Sequence, residues 1–301
     1  MTGTKMHADE VDIDASLVGR LIAAQFPQWA HHPVTAVRSA GTDNAMYRLG
    51  EDMAVRLPRI PRAAGQVTKE QRWLPRLAPH LPLAVPVPLG LGEPGEGYEL
   101  PWSVYRWLEG ENVYDSPLTD QSHAAVELGR FVAALRTVDA TGGPAGFRGG
   151  PVSTRDTEVR DAIRDLGADG TVDADLAAAA WESALRLPQW EGEPVWLHGD
   201  LLPGNMLARD GRLTAVIDFG GLGTGDPACD TMAAWTLLSA GSRELFREAV
   251  EVDDATWARG RSWALTFGLT AYHYYRVTNP VLAAVGRRAV GEALDDFRRE
   301  G

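Results

Sequence analysis

The side chains most able to do chemistry are grouped near residue 200. His198 and Asp200 follow an apolar stretch that is typical of a strand end, and Asn205 lies five positions further on. A loop carboxylate such as Asp200 can accept the proton of an incoming hydroxyl. Asn205 and Asp218 offer amide and carboxylate oxygens, which are ligands that Mg²⁺ accepts. The set indicates phosphoryl transfer to a hydroxyl, with His198 better placed to brace the loop than to react.

A turn signal predicts how the two parts of this segment face each other. Asp210-Gly211 is a strong two-residue hairpin signal, and it lies between two apolar runs. With the turn there, Asn205 faces Val216, and Asp218 lies two residues beyond that position. Because diagonal neighbours in a sheet lie roughly 7–8 Å apart, the two oxygen-bearing side chains can converge on one Mg²⁺.

The first third of the chain favours a small sheet with one packed helix. Apolar periodicity and turn residues predict strands at 45–49, 53–57, 85–89 and 102–108. They predict helices at 14–26 and 66–78. Glu70 falls on the apolar stripe of the second of these helices. A carboxylate in that position needs a partner, since burying an unpaired charge is costly.

From residue 110 onward the apolar spacing becomes helical. Helices are expected at 119–139, between 154 and 187, and through 226–299 with a break at Asn279-Pro280. A polar, Gly-rich stretch at 141–151 separates the first two of these segments.

Together these elements predict an α+β fold with two lobes. We expect a β-rich N-terminal lobe over 1–106, which would bind the nucleotide. A hinge is expected near 105–110. A mainly helical C-terminal lobe over 107–301 would carry the catalytic and acceptor-binding residues.

The central motif resembles the catalytic set of the protein kinases. His198-Gly-Asp200, an asparagine five residues after the aspartate, and Ile217-Asp-Phe-Gly220 follow the kinase order. Gly199 stands where protein kinases carry an arginine, and this variant is the pattern of the aminoglycoside phosphotransferase and small-molecule kinase family. The first hairpin, the glutamate of the second helix and 226–230 extend the resemblance over nearly the whole chain.

The resemblance implies a protein-kinase-like, two-lobed fold and a role for each matching residue. Within the catalytic pair His198 and Asp200, the aspartate would be the base or would orient the acceptor hydroxyl. Asn205 and Asp218 would hold Mg²⁺. Arg56 would replace the phosphate-binding lysine of better-known members, although arginine forks its charge and is not equivalent to lysine. The remaining contacts to ATP or GTP would come from Glu70 as partner of Arg56, from Ser39 and Thr42 at the phosphates, and from Arg106 and Leu108 in the purine-binding linker.

The resemblance also implies that the acceptor is a hydroxyl of a small molecule. An aminoglycoside or related antibiotic is the first hypothesis, and a macrolide, a sugar or an amino alcohol would use the same catalytic residues. The candidate acceptor contacts are Asp226, Asp230, His273 and Tyr274. Each has a structural alternative, since Asp226 can begin a helix, Asp230 can support the core, and the two aromatic residues can pack. A noncatalytic nucleotide-binding protein is disfavoured because no catalytic position is lost.

Composition restricts the partners further. The 301 residues include 29 basic and 41 acidic side chains, a formal charge of −12, which disfavours nonspecific binding of nucleic acid. An acidic surface suits a cationic acceptor, and it equally serves solubility. No apolar run approaches the ~18 residues of a membrane span, and the N-terminal residues lack a signal-peptide core. We therefore expect a cytoplasmic protein without membrane contact, with monomer and homodimer both open.

Overall fold

The computed structural model describes residues 12–37 and 43–300. Packing divides the chain into two units, Met1–Gly110 with Ala215–Gly220, and Glu111–Thr214 with Gly221–Gly301. The sequence division had assigned the short segment 215–220 to the second lobe. It lies with the first unit because Ala215 forms a parallel bridge with Ala84 and the Val216 N–H donates to the Ala84 carbonyl. Neither contact is visible in local sequence.

The first unit is built around one antiparallel sheet. Its elements are α1 Ala15–Gln25, β1 Val34–Ala36, β2 Asn44–Leu49, β3 Met53–Pro58, α2 Ala64–Leu77, β4 Pro88–Gly92 and β5 Trp102–Arg106. The strand order is β1-β2-β3-β5-β4. The predicted hairpin is confirmed as β2 and β3, with Gly50 in the turn at φ +61°. The strand expected at 85–89 begins later, at Pro88, because proline has no N–H to donate to a ladder and the segment before it contains Pro86.

Helix α1 covers part of the core of this unit. Asp14 caps the helix by accepting a 2.7 Å hydrogen bond from the Leu17 N–H. The helix buries four apolar side chains, and β2 contributes its alternate residues to the same cluster, which contains Leu17, Val18, Leu21, Ile22, Ala45, Tyr47 and Leu49. The period of 3.6 on the helix and of 2 on the strand therefore meet in one core, as the sequence pattern predicts.

The second unit is mainly helical. Its elements are β6 Glu111–Asn112, α3 Gln121–Thr137, α4 Asp156–Ala168, α5 Ala174–Leu185, β7 Val195–Leu197, β8 Met206–Arg209, β9 Arg212–Val216, β10 Gly223–Gly225, α6 Ala228–Thr231, α7 Ala233–Thr236, α8 Arg243–Val250, α9 Asp254–Tyr275 and α10 Pro280–Glu300. The short strands form two small sheets, β6-β8-β9 and β10-β7. The last residues of β9 belong to the first unit. The α+β fold class expected from the sequence, with a β-sheet N-lobe and a helical C-lobe, is confirmed.

The two longest helices pack closely because small residues meet at their contact. A Cβ added to Gly268 of α9 would lie 2.9 Å from the carbonyl oxygen of Gly286 of α10. The expected break falls between them, where Asn279 accepts a hydrogen bond from the Leu282 N–H and Pro280 begins α10. Within 12–37 and 43–300, no helix is both long and apolar enough to cross a membrane.

Candidate active site

The loop after β7 adopts a conformation that only glycine allows at position 199. Gly199 has φ +79°, and a Cβ there would lie 2.7 Å from the carbonyl oxygen of Gly221. A side chain would therefore be strained by the backbone and would collide with a neighbouring segment. Position 199 therefore favours glycine over any larger residue.

Asp230 holds the beginning of this loop. Its carboxylate accepts hydrogen bonds from the backbone N–H groups of His198, at 2.7 Å, and Gly199, at 2.8 Å. Only 1% of Asp230 is exposed, and burial raises its pKa, although the two N–H donors act in the opposite direction. The expectation of a contact to the acceptor is therefore corrected, because both oxygens are buried on protein partners and Asp230 supports the loop.

His198 is buried completely and works within the loop. Its Nδ1 accepts a 3.2 Å hydrogen bond from the N–H of Asp200. The ring thereby fixes the backbone at the candidate base. This contact agrees with the expectation that His198 braces the loop, and the grouping of His198 with Asp200 as a catalytic pair stays a prediction.

The carboxylate of Asp200 is held from two sides. Asn205 Nδ2 donates at 2.9 Å to Asp200 Oδ2 and at 2.9 Å to its carbonyl oxygen. On the other side, Arg148 Nη1 donates to Asp200 Oδ1 and, at 2.7 Å, to the carbonyl of Gly199. Burial is the largest single effect and opposes the charged form of Arg148, but the charge and hydrogen bond of Asp200, together with smaller contributions from neighbouring groups, raise the pKa of Arg148 overall. The side chain of Asp200 keeps 30% of its surface exposed, so a hydroxyl can still approach it.

The sequence pattern does not single out Arg148. It lies in the Gly-rich stretch 141–151, which had no apparent role beyond separating two helices. The stretch packs along β10, where the Gly146 N–H donates to Thr224 and the Asp226 N–H donates to Gly149. No local pattern indicates that contact, and the glycines at 146 and 149, which allow close approach to β10, are the only signal the sequence offers.

Asn205 lies in a tight helical turn directly before β8. Asn112 holds that turn by donating a 2.5 Å hydrogen bond to the Gly204 carbonyl. Among the described residues, no hydrogen bond reaches Asn205 Oδ1, so this oxygen remains available to a cation. The predicted hairpin follows, with Asp210 and Gly211 at φ +53° and +74° in the turn.

A second group of polar residues lies in the first unit, around Arg56 of β3. Arg56 Nη1 donates to Glu70 Oε1 at 2.5 Å, as the sequence expectation of a pair requires. Its Nη2 donates to Asp218 Oδ1 at 2.8 Å and to Gln66 Oε1 at 3.2 Å. Burial disfavours the charged guanidinium, but the carboxylates of Glu70 and Asp218 raise the pKa of Arg56 overall. Gln66, one turn before Glu70 on α2, was not anticipated.

Glu70 has a further partner in Tyr105. The Tyr105 hydroxyl donates to Glu70 Oε2, and burial together with the Glu70 charge raises the pKa of that phenol. The linker that follows is anchored through the backbone, since the Trp107 N–H donates to the Asp52 carbonyl at 2.7 Å. Arg106 is exposed there.

Leu108 is the other described residue that is predicted to contact the nucleotide. Leu108 is half-buried beyond the end of β5. The purine contact of Arg106 and Leu108 stays a prediction. Ser39 and Thr42 lie outside the described residues.

Asp218 has an unusual backbone for a residue with a side chain. Its φ is +60°, in the left-handed region that aspartate tolerates better than most residues. Its Oδ1 accepts from Arg56, whereas no hydrogen bond from the described residues reaches Oδ2. The side chain is 43% exposed. Backbone strain of this kind is concentrated at functional sites, and here it presents a carboxylate oxygen to solvent.

The remaining acceptor candidates differ in accessibility. Asp226 is 6% exposed and receives Arg259 Nε at 2.7 Å, Arg259 Nη2 at 3.2 Å and the Ala228 N–H at 3.0 Å. Its expected contact to a cationic acceptor is corrected, because the carboxylate is buried in an ion pair. His273 pairs with Asp165 at 3.0 Å, and Tyr274 is 63% exposed. The predicted acceptor contacts of His273 and Tyr274 stay predictions.

Each of the two predicted metal ligands offers an oxygen of the kind that Mg²⁺ accepts. Within the described parts of the chain, no three His, Cys, Asp or Glu side chains are grouped to hold a metal ion. Mg²⁺ commonly takes only one or two carboxylates and completes its shell with water and phosphate oxygens. Asn205 Oδ1 and Asp218 Oδ2 are hard oxygen ligands of that kind.

Residues 34–263 match the model of the phosphotransferase enzyme family, so the chain belongs to this family and is a phosphotransferase enzyme. The expected α+β, kinase-like fold class is confirmed by solved structures of aminoglycoside and macrolide phosphotransferases. No curated protein is significantly similar to the chain in sequence.

Three solved structures illustrate the likeness. A mutant of aminoglycoside 2'-phosphotransferase-IIIa in its GDP complex is 20% identical with a TM-score of 0.73, over 96% of this chain and 100% of that one. The macrolide 2'-phosphotransferase MphH from Brachybacterium faecium is 27% identical with a TM-score of 0.58, over 94% and 98%. A streptomycin–ATP–APH(2")-IIa ternary complex is 15% identical with a TM-score of 0.57, over 85% and 90%.

Proposed function

We propose that the protein transfers the γ-phosphoryl group of ATP or GTP to a hydroxyl of a small-molecule antibiotic. The observation that supports this best is the arrangement around Asp200. Its accessible carboxylate accepts hydrogen bonds from Arg148 and Asn205, and Asp230 holds the beginning of its loop. Pre-organisation of a base in this way is what positioning-based phosphoryl transfer requires. The solved structures with GDP, ADP and ATP bound support a nucleotide cosubstrate.

In this proposal each polar group has a limited task. Asp200 accepts a hydrogen bond from the acceptor hydroxyl and orients its oxygen for attack in line with the phosphoryl group. Arg56 neutralises charge on the nucleotide phosphates, and Glu70 with Tyr105 fixes the direction of its fork. A fork can donate to two oxygens at once, which a lysine cannot do with the same geometry.

Mg²⁺ belongs to the same proposal. Asn205 and Asp218 would hold the ion through one oxygen each. When bound, the metal would neutralise charge on the β- and γ-phosphates. Among the described residues, no hydrogen bond reaches Asn205 Oδ1 or Asp218 Oδ2, and this supports the assignment.

The class of acceptor follows less directly. The aminoglycoside hypothesis rested partly on acidic residues, but Asp226 and Asp230 are occupied by protein partners. A macrolide is the second candidate, favoured by the 27% identity with the macrolide enzyme. A cavity of about 270 Å³ in the second unit, walled partly by Trp190 and Trp263, also suits an apolar group. Trp263 carries a buried indole N–H without a partner in the described chain, which could donate to an acceptor oxygen.

A coupled assay of nucleoside-diphosphate release tests both levels of the proposal. Kanamycin, erythromycin, a simple sugar and ethanolamine would each be tried with ATP and with GTP, in the presence of Mg²⁺. Turnover of an antibiotic that is abolished by Asp200→Asn supports the proposal, because asparagine keeps the shape and loses the base. Turnover of the sugar or ethanolamine alone would contradict the antibiotic acceptor, and turnover unaffected by Asp200→Asn would contradict the role of the base.

A further inference from the structure

We propose that Arg148 is a positioning residue that fixes the orientation of the Asp200 carboxylate for the reaction, an assignment that rests on the proposed function. Residues 198–205 themselves include neither lysine nor arginine. Arg148 therefore brings a positive charge to the base from a segment 52 residues away in sequence.

The contacts of Arg148 fix it on several sides. Nη1 donates both to Asp200 Oδ1 and to the Gly199 carbonyl. The guanidinium carbon lies 5.8 Å from the centroid of the Phe147 ring and 5.7 Å from that of Phe267. Aromatic faces attract a cation over this distance. The side chain is 21% exposed, so water screens the pair with Asp200 only in part.

A donor in this place has one consequence for a hydroxyl acceptor. It fixes the rotation of the Asp200 carboxylate, because Oδ1 is held by Arg148 and Oδ2 by Asn205. A carboxylate has about four lone-pair sites, so the hydroxyl can bind beside these two donors without displacing either.

Arg155 provides a matched control. It lies over the same Phe147 ring, at 4.3 Å, and donates to the Phe147 carbonyl. Its side chain is 20% exposed, close to the value for Arg148. Its ion-pair partner is Glu158, however, and not Asp200. Replacing either arginine removes one charge and a cation–π contact with Phe147. Arg148 has a second such contact with Phe267, and only Arg148 touches the candidate base.

The test compares kcat and the acceptor KM of Arg148→Met, Arg148→Lys and Arg155→Met with the best antibiotic acceptor of the panel. We expect Arg148→Met to lower kcat on the order of 100-fold, as for loss of a single preorganised donor. The acceptor KM should stay close to the wild-type value, because Arg148 orients Asp200 and does not itself bind the acceptor. Arg148→Lys keeps a donor and should recover part of the loss in kcat, and Arg155→Met should resemble the wild type throughout.

Binding and folding are followed in the same variants. ADP affinity, measured by calorimetric titration, should be unchanged in all of them, since Arg148 acts on the acceptor side of the reaction. A kcat in Arg148→Met that equals that of Arg155→Met, with an active wild type, overturns the proposal for Arg148 and leaves the proposed function intact. A wild type that turns over no acceptor overturns the proposed function itself.

One variant guards against a loss of folding. If Arg148→Met shows no cooperative thermal transition, Arg148→Gln, which retains a side-chain donor on a shorter chain, takes its place. A lowered kcat with an unchanged acceptor KM in the folded glutamine variant supports the positioning role. A kcat equal to that of the wild type overturns it.

Discussion

Arg56 and Asp218 lie 162 residues apart in the sequence, yet Arg56 Nη2 donates a 2.8 Å hydrogen bond to Asp218 Oδ1. The same guanidinium holds Glu70 at 2.5 Å. One cation on β3 thus connects a helix carboxylate with the aspartate that the sequence assigns to the metal. The fork of arginine makes this possible, since its donors point in fixed, different directions.

The first prediction concerns this fork. Arg56→Lys should raise the KM for nucleotide by about 10-fold, equivalent to about 1.4 kcal/mol, because a single ammonium cannot hold both carboxylates. Arg56→Met should lower the free energy of unfolding by about 3–5 kcal/mol, since it leaves Glu70 buried without its cation. Steady-state kinetics and urea denaturation measure the two effects. Arg48→Met, at an exposed ion pair with Glu109, should change stability by less than about 1 kcal/mol.

The second prediction concerns the loop backbone. Gly199→Ala should destabilise the fold by about 1–3 kcal/mol, because alanine must adopt a positive φ and its Cβ meets the Gly221 carbonyl. Gly204 lies in the same loop with nothing within 4 Å of a Cβ, so Gly204→Ala should be nearly neutral. Thermal unfolding of both variants gives the comparison. Equal melting temperatures for the two variants would contradict the steric explanation for glycine at position 199.

A third prediction addresses the metal ligand. Asp218→Asn should raise the Mg²⁺ concentration needed for half-maximal turnover and lower kcat by at least about 100-fold, since the charged ligand is lost while asparagine tolerates the same backbone. A Mg²⁺ titration of activity measures this. Asp210→Asn is the control, because Asp210 also has a left-handed backbone, with φ +53° in the hairpin turn. Unchanged Mg²⁺ dependence in Asp218→Asn would remove Asp218 from the metal site.

The fourth prediction separates a structural carboxylate from an acceptor contact. Asp226→Asn should lower the free energy of unfolding by about 3–5 kcal/mol, because Arg259 is left buried without its partner. The KM for the acceptor should be unchanged in the folded fraction. Asp295→Asn, at an exposed pair with Arg298, is the surface control. A large rise in the acceptor KM without loss of stability would restore the substrate contact that the sequence suggested.

The fifth prediction follows from the raised pKa of Asp230. The folded state binds the carboxyl proton of Asp230 more tightly than the unfolded chain, in which aspartate has a pKa of about 3.9. Its contribution to stability is therefore greatest below that pH and declines as the pH rises into the window above it. Asp230→Asn should flatten this decline, measured as the free energy of unfolding over a pH series. A wild-type slope that survives in the variant would assign the effect to another group.

Local sequence determined much of the framework. The Asp14 cap, the turn at Asp210-Gly211 and the placement of Glu70 on an apolar stripe each depend on residues a few positions apart. Turn geometry and helical periodicity act over that range, so they can be read without a structure. The order His198, Asp200, Asn205 and Asp218 added the reaction class, because that chemistry needs those side chains in a recognisable sequence.

Tertiary packing decided which charges are available. Asp226 and Asp230 have the same side chain as Asp200, and only the structure shows that the first two are buried on protein partners. Arg148 reaches Asp200 across 52 residues, through a Gly-rich stretch laid along β10. Contacts of this length have no periodic signal, since they arise when separate elements fill one core. The sequence by itself therefore determined the kind of chemistry, and the packed chain decided which residues support it.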